Sequence, residues 1–342
     1  MSMNNKENNS EKCPVCGKQD NKILYMVNSE TAPNHFFKGG RNKSEYVKLK
    51  LAIENVWGQN TCSFNQCNYC DFCFSIPFIA ANNEYYSILY NNNDNYPVWK
   101  WEFEITIQAI HKLVEKKIIN NNFNFLEIGA GNGNFVNQII SDFSTEPKIT
   151  CTEFSESAKN SISAFNVECL SKDVREMDDM IYNNRFDVIC MFQVLEHLDE
   201  LDKLFAHLYK ISSEKCSLFI GVPNFEHRAF FDKYGFREDI PPHHTSRWNE
   251  KNLKKMGDRF GWELVKYMKE PVDKNKIIGK FRNVILENRK LTHRINNRLI
   301  RNIIIKFDKL LSYIKLFFFF PKLKVQIKND LGLAQWAHFR KK

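Results

Sequence analysis

The sequence predicts an α/β protein with a mostly parallel sheet and a small cysteine-rich module in front of it. Three observations carry this prediction. Apolar runs alternate with helical patterns across residues 123–270, a glycine-rich turn follows the first of these runs, and paired cysteines stand near the N-terminus. Alternating strands and helices are typical of parallel sheets with helical crossovers. A chain of 342 residues, 43% of them hydrophobic, suffices for one such domain with appendages.

Two cysteine pairs predict a metal site within residues 1–80. Cys13 and Cys16 are separated by two residues, and Cys67 and Cys70 have the same spacing. Two such turns supply the four thiolates of a structural, tetrahedral zinc site. We therefore expect a zinc ribbon that is interrupted by an insertion, because about fifty residues separate the two pairs.

Other arrangements of the cysteines stay open. Cys62 and Cys73 offer a competing register, although Cys73 lies where a strand resumes, and free buried thiols are the alternative to a metal site. The ten cysteines are expected to be reduced, because the polar N-terminus has no signal-peptide pattern and a cytoplasmic location follows.

Residues 81–122 are predicted to form a helical linker before the first strand of the main sheet. A tyrosine-rich stretch, 85–90, either covers a ligand cleft or contributes aromatic rings to the core. A helix is expected from Trp99 to about Asn120, packed on the sheet.

The stretch from Leu126 to Phe135 predicts a strand, a tight turn and the start of a helix that together bind a cofactor. An acid two positions before the turn would repel a pyrophosphate and suits a cationic ligand such as S-adenosylmethionine (SAM), which has an ammonium, a sulfonium and no phosphate. Glycines let the backbone approach such a ligand closely. The residues concerned are Glu127, Gly129, Gly131 and Gly133.

At this motif the chain resembles the class I SAM-dependent methyltransferases, whose first motif is (D/E)-x-G-x-G-x-G. The resemblance covers about residues 120–270 and the last dozen residues. It implies a seven-stranded Rossmann-like sheet with an antiparallel last strand in 329–342, and a SAM-binding domain over 123–270. A subset of the family has an N-terminal zinc ribbon, which the run from Cys67 to Pro77 resembles.

Downstream polar residues complete the predicted cofactor site. Glu153 ends the second strand, twenty positions beyond Gly133, where an acid binds ribose hydroxyls. Its alternative role is that of an acid at a helix N-terminus. The resemblance implies that Asp173 accepts from the adenine amino group. Phe192 and Gln193 end the fourth strand and are expected to line the methionine side of the pocket.

Three histidines are candidates for the acceptor side of the site. His197 belongs to a segment, 194–198, that resembles the fourth motif of the family, and it is either a general base or a structural group. His243 and His244 follow two prolines, in a segment that crosses the substrate mouth in similar methyltransferases. One of them is our candidate for a base or a hydrogen-bonding partner of the acceptor. The alternative is a helix N-cap region before 249–256.

Residues 271–328 form a predicted helical insertion that accounts for the net positive charge of the chain. They contain fifteen Lys/Arg and three Asp/Glu, whereas the whole chain has a net charge of +9. Three roles stay open: a helical lid or dimer face, a peripheral membrane contact through 300–320, and a platform for an anionic substrate or RNA. The insertion has no recognised nucleic-acid module.

These features lead to one functional hypothesis and two alternatives. The leading hypothesis is SAM-dependent methylation of a small molecule, in particular a sugar or a glycan or nucleotide-sugar intermediate, which can be anionic. The first alternative is methylation of RNA or protein, docked through the basic insertion. The second is a non-catalytic binding protein, which the intact glycines and acids argue against.

Overall fold

The computed structural model of the chain describes residues 11–37, 43–90, 98–143, 147–237, 239–287, 327 and 329–342. These residues form two compact units. The first comprises the described residues up to Phe225, 239–268 and 334–342, and the second comprises 226–237 and the described part of 269–333.

The N-terminal part of the first unit contains three strands and four helices. They are β1 (Asn21–Asn28), α1 (Pro33–Phe36), α2 (Lys43–Trp57), β2 (Thr61–Cys67), β3 (Cys73–Ile76), α3 (Asn83–Tyr90) and α4 (Trp101–Glu115). The insertion expected between the cysteine pairs thus contains α1 and α2. The helix expected to continue to about Asn120 ends at Glu115.

The glycine turn lies in the first of several strand–helix repeats that follow. The elements are β4 (Asn124–Ile128), α5 (Asn134–Asp142), β5 (Lys148–Thr152), α6 (Glu156–Ser163), β6 (Glu168–Leu170), α7 (Asp179–Tyr182), β7 (Phe186–Phe192), α8 (Leu201–Ile211), β8 (Ser212–Pro223), α9 (Phe225–Asp232), β9 (Ser246–Arg247), α10 (Glu250–Arg259), β10 (Trp262–Lys269), α11 (Lys274–Glu287) and β11 (Ala334–Lys341).

The main sheet has seven strands in the order β10-β11-β8-β7-β4-β5-β6. The pairings β4–β5, β4–β7, β5–β6 and β7–β8 are parallel, whereas β11 pairs antiparallel with β8. The predicted α/β fold, with its mostly parallel sheet and antiparallel last strand, is confirmed. The central strand β7 is a nearly continuous apolar run, because a strand inside a parallel sheet is buried on both faces.

The four-stranded sheet, of order β1-β2-β3-β9, ties the cysteine-rich module to the rest of the first unit. Its edge strand β9 comes from the segment after the histidine pair. Cys13 and Phe72 pack in the same hydrophobic core as Leu126 of β4 and Ile189 of β7. The part of the module around Cys13 and Phe72 thus shares a core with the main sheet, and the division of the chain into a domain over 1–80 stays a prediction.

The second unit has an aromatic core of its own. Phe231, Ile277 and Phe281 are buried together, and the rings of Phe231 and Phe281 stack 4.7 Å apart. His227 Nδ1 donates to the carbonyl oxygen of Leu331, 3.0 Å away. Most of the predicted basic insertion, including 300–320, lies outside the described residues. The predictions of a lid or dimer face, a membrane contact and a platform for an anionic substrate or RNA concern these residues and stay predictions.

None of the helices in the described part of the chain has the length and hydropathy that crossing a bilayer requires.

Candidate active site

The glycine turn after β4 takes backbone conformations that other residues rarely adopt. Its glycines have φ values of 69° at Gly129, 54° at Gly131 and 75° at Gly133. A Cβ at Gly129 would lie 2.6 Å from Val194 Cγ2, and one at Gly133 would lie 2.9 Å from Ile162 Cγ1. The turn therefore requires glycine both for its conformation and for its packing.

Glu127 is a buried carboxyl beside this turn. Its side chain is 2% exposed, and Oε2 has no hydrogen-bond partner among the described residues. Burial raises the pKa of Glu127 to about 8, against the opposing charge of Lys100 and a hydrogen bond from the Val136 backbone. A buried polar atom without a partner calls for a ligand or water. This carboxyl therefore fits a cationic group such as the ammonium of SAM.

Glu153 connects the glycine turn to the start of α6. Its Oε2 accepts from the backbone N–H of Gly131 at 2.8 Å, and its Oε1 accepts from those of Phe154 and Ser155 at the same distance. Because a carboxylate has about four lone-pair positions, it can still accept from a ribose hydroxyl. Ser155 supplies the side-chain cap of α6 through Ala158 N, so Glu153 is not needed as the N-cap.

Asp173 has strong partners in its own neighbourhood. Its Oδ1 accepts from Arg175 N at 2.8 Å and its Oδ2 accepts from Arg175 Nη2 at 2.6 Å. Arg175 in turn donates to Asp199 Oδ1 at 3.0 Å. Burial alone would raise the pKa of Asp173, but the hydrogen bonds from Arg175 outweigh it and hold this pKa below its ordinary value. Contact between Asp173 and adenine stays a prediction.

The two residues at the end of β7 have different environments. Phe192 is 4% exposed and packs edge-to-face against Phe103 and Phe135, so its ring belongs to the core. Gln193 has a φ of 59°, and its Nε2 donates to Glu102 Oε1 at 3.0 Å. That both residues line the methionine side of the pocket stays a prediction.

Glu102, the partner of Gln193, is a candidate site residue that the sequence analysis did not identify. It lies in the first turn of α4 and is only 3% exposed. Glu102, Thr106 and Ile110 recur every fourth residue on the buried face of this helix. An acid in that apolar pattern was the available signal.

The three candidate histidines come together in the first unit. One ligating nitrogen from each of His197, His243 and His244 lies within 4.8 Å of the others. His197 stands in a 3₁₀ turn, Leu195–His197, ahead of α8, which begins at Leu201. Burial lowers the pKa of His197 and favours the neutral imidazole.

Hydrogen bonds orient the rings of this cluster. His197 Nδ1 donates to the His243 carbonyl oxygen at 2.5 Å, and the Tyr86 hydroxyl lies 3.2 Å from the same nitrogen. His244 Nδ1 lies 3.6 Å from Asp239 Oδ2. Tyr86 comes from the tyrosine-rich helix α3, so this segment contacts the histidine cluster, whereas its neighbour Tyr85 is buried in the core. That the segment covers a ligand cleft stays a prediction.

The two cysteine pairs also come together. Cys13 Sγ lies 3.5 Å from Cys70 Sγ, and Cys16 Sγ lies 3.5 Å from Cys67 Sγ. Zn–S bonds of 2.3 Å in a tetrahedron place sulfurs about 3.8 Å apart, so the cluster fits zinc closely. A hydrogen bond from the Cys13 thiol holds the pKa of Cys70 below its ordinary value, which favours a thiolate at Cys70.

The competing cysteines belong to other surroundings. Cys62 donates to the Ser63 carbonyl oxygen at 3.6 Å, and Cys73 donates to that of Asp71 at 3.7 Å. Neither is a member of the four-cysteine cluster. The structure therefore favours the register with Cys67 and Cys70.

A family model covers the glycine turn and most of the main sheet. Residues 98–267 match the model of a family described as a methyltransferase domain. These residues therefore form a methyltransferase domain of the class I, SAM-dependent kind. No curated protein matches it.

Two similar solved structures are described as methyltransferases. A SAM-dependent methyltransferase from Archaeoglobus fulgidus is 16% identical, with a TM-score of 0.44 over 70% of this chain and 94% of that one. A phosphoethanolamine N-methyltransferase from Haemonchus contortus, solved with S-adenosylhomocysteine, is 15% identical, with a TM-score of 0.38 over 69% of this chain and 52% of that one.

Proposed function

We propose that this protein methylates a small-molecule acceptor, a sugar or a glycan or nucleotide-sugar intermediate, at a site between the glycine turn and the histidine cluster. The observation that carries the proposal is the buried Glu127 carboxyl, whose Oε2 lacks a partner among the described residues, beside a turn of three left-handed glycines. When bound, SAM supplies a methyl group already activated on a sulfonium.

The residues around the glycine turn would hold the cofactor. Glu127 would neutralise its ammonium, the backbone from Gly129 to Gly133 would lie against its amino-acid part, and Glu153 would accept from a ribose hydroxyl. All these residues follow or end strands β4 and β5, which are neighbours in the sheet. Ligands of open α/β sheets bind beyond the carboxyl ends of the strands, which supports this placement.

The histidine cluster would receive the acceptor. Its member His197 follows the carboxyl end of β7, the other neighbour of β4. Aromatic rings surround His243, since Phe36 lies 5.9 Å away and Tyr86 lies 6.3 Å away between ring centroids. Rings can pack on the apolar face of a sugar while imidazole nitrogens bond its hydroxyls, and this combination supports the sugar class. An acceptor hydroxyl must also lose its proton, which a histidine here can take.

We further propose that the four-cysteine cluster binds a structural zinc ion. The two sulfur–sulfur distances of 3.5 Å support it. Four protein thiolates leave no open coordination position, so we assign this ion no part in methyl transfer.

Titration calorimetry with SAM tests the cofactor assignment. The full chain should bind SAM, and Gly131→Arg should not, because the new side chain fills the turn. Gly58→Arg is the matched control: Gly58 is also left-handed, with no described atom within 4 Å of a Cβ. No binding by the folded native chain would overturn the proposal.

The acceptor class needs a second assay. The full chain is incubated with SAM that carries a tritiated methyl group in three parallel reactions. These contain nucleoside-diphosphate sugars, total RNA or mixed peptides as the acceptor. Label in the sugar fraction would support the proposed class. Label only in RNA or peptide would show that the acceptor is a macromolecule.

A further inference from the structure

We propose that His197, His243 and His244 form a second metal site, which binds a first-row divalent transition ion such as Zn²⁺. In the described part of the chain, only this cluster and the four cysteines bring three or more potential ligands so close together. The ring centroid of His197 lies 4.8 Å from that of His243 and 4.5 Å from that of His244. The structure thus already gathers three imidazoles in one place.

The hydrogen bonds of His197 set it up as a ligand. A carbonyl oxygen can only accept, so the 2.5 Å contact with the His243 carbonyl fixes the proton on Nδ1. The neutral ring then has its lone pair on Nε2. Metal-binding histidines usually donate their other ring N–H to a carbonyl or carboxylate in this manner.

His244 has a carboxylate beside it. Its Nδ1 lies 3.6 Å from Asp239 Oδ2, beyond hydrogen-bond distance, and the electrostatic attraction of this carboxylate favours a proton on Nδ1 and a lone pair on Nε2. Glu196 adds a second carboxylate, with Oε1 3.9 Å from His197 Nε2 and a side chain that is 1% exposed. The negative charges of two carboxylates beside neutral imidazoles favour the binding of a cation by this cluster.

Backbone contacts hold the two histidine segments against each other. Thr245 donates to the Glu196 carbonyl oxygen through its N–H at 2.9 Å and through its hydroxyl at 3.1 Å. Ser75 N on β3 donates to the Thr245 carbonyl oxygen at 2.8 Å. The backbone of the ligand-bearing segments is thus held in place before any ion binds, so metal binding requires movement of side chains only.

The donor set selects the class of ion. Imidazole suits zinc, iron, copper and nickel, whereas magnesium and calcium require oxygen ligands. In a tetrahedral site with bonds of 2.0–2.1 Å, nitrogens stand about 3.4 Å apart. The present separations of up to 4.8 Å would close to that value through rotations of the three rings.

Such an ion would deepen the proposed function, on which this role rests. Three histidines leave a coordination position for an acceptor oxygen. The ion would lower the pKa of an acceptor hydroxyl, whose proton would leave to solvent, and the oxygen would then form its bond to the methyl carbon as the carbon–sulfur bond breaks with its electron pair on sulfur. With the ion bound, the histidines act on the acceptor through the ion, and this step replaces the direct proton transfer to a histidine described above.

Metal content tests the site without any acceptor. The full chain is loaded with Co²⁺, freed of excess ion by gel filtration, and analysed by mass spectrometry of the metal. His197→Ala/His243→Ala should hold one ion per chain fewer than the native protein, and the conservative His243→Gln should also lose it. The control His111→Ala changes a partly exposed histidine on α4 and should retain the native content.

Spectroscopy and cofactor binding separate the possible outcomes. The variants that lose the ion at the histidines should keep the thiolate-to-cobalt charge-transfer absorption of the cysteine site at its native intensity. SAM affinity, measured on the same samples, should stay within about twofold of native, which shows that the variants fold and that the cofactor site is separate. Equal metal content in native protein and in a double variant that still binds SAM would overturn the proposal. Failure of the native chain to bind SAM would instead overturn the proposed function.

Discussion

Replacing Glu127 by glutamine should stabilise the protein while removing its cofactor affinity. Glu127 has a pKa of about 8 in the folded chain, where the ordinary value is 4.5, and burial is the main cause. The unfolded chain therefore releases this proton at lower pH than the folded chain does. Between about pH 4.5 and pH 8 the folded state binds more protons at Glu127 than the unfolded state does. The free energy of unfolding therefore falls as pH rises through this range.

The size of the effect follows from the same shift. Each pH unit in this window costs about 1.4 kcal/mol, so at pH 7 the buried carboxyl costs about 3 kcal/mol relative to a neutral group. Glutamine is nearly the same size and does not ionise. Glu127→Gln should therefore raise the melting temperature at pH 7 by about 5–10 °C, and the gain should shrink toward zero near pH 4.5.

Thermal unfolding from pH 4.5 to pH 8 measures this dependence, with and without SAM. Native protein should gain stability from SAM, because the ammonium stabilises the carboxylate, and the glutamine variant should gain little. A variant that is equally or less stable than native protein at pH 8, or that binds SAM as native protein does, would refute the idea that Glu127 is kept buried for a cationic ligand.

Three further perturbations test the turn, the adenine contact and the zinc site. Gly133→Ala should destabilise the fold by about 1–3 kcal/mol, because its Cβ would meet Ile162 and Phe165 at 2.9 Å; chemical denaturation measures the loss, and Gly58→Ala should cost less. Asp173→Asn should weaken SAM binding in calorimetry, by about tenfold if a charge-assisted hydrogen bond to adenine is lost. Cys70→Ser should remove zinc and lower the melting temperature, whereas Cys62→Ser should keep the zinc.

The results that would contradict these three differ. Equal losses at Gly133 and Gly58 would show that backbone strain alone matters at the turn. Unchanged affinity in Asp173→Asn would mean that its bonds to Arg175 are its whole role. Native zinc content in Cys70→Ser would exclude this cysteine as a ligand.

Much of the main sheet was predictable because its strands are buried on both faces. Such strands are continuous apolar runs, as in Phe186–Phe192, and their ends are marked by polar residues. The glycine turn was predictable for a related reason, since three left-handed positions at fixed spacing leave few other choices of residue. Local pattern and fold agree at these places.

Long-range pairings were not predictable in the same way. The two-residue strand Ser246–Arg247 has no apolar alternation, yet it completes the sheet that begins at β1. The bond from Gln193 to Glu102 joins residues 91 positions apart. The gathering of His197 with His243 and His244 likewise depends on how the turn after β7 packs against a distant loop, and no local pattern encodes that.

The most direct test of the central claim is a crystal structure of the full chain with S-adenosylhomocysteine. We predict that its amino group lies against Glu127 and the glycine turn, and that its ribose hydroxyls bond Glu153. A ligand bound elsewhere, or a turn region closed by the protein's own side chains in a chain that still transfers methyl groups, would contradict the account.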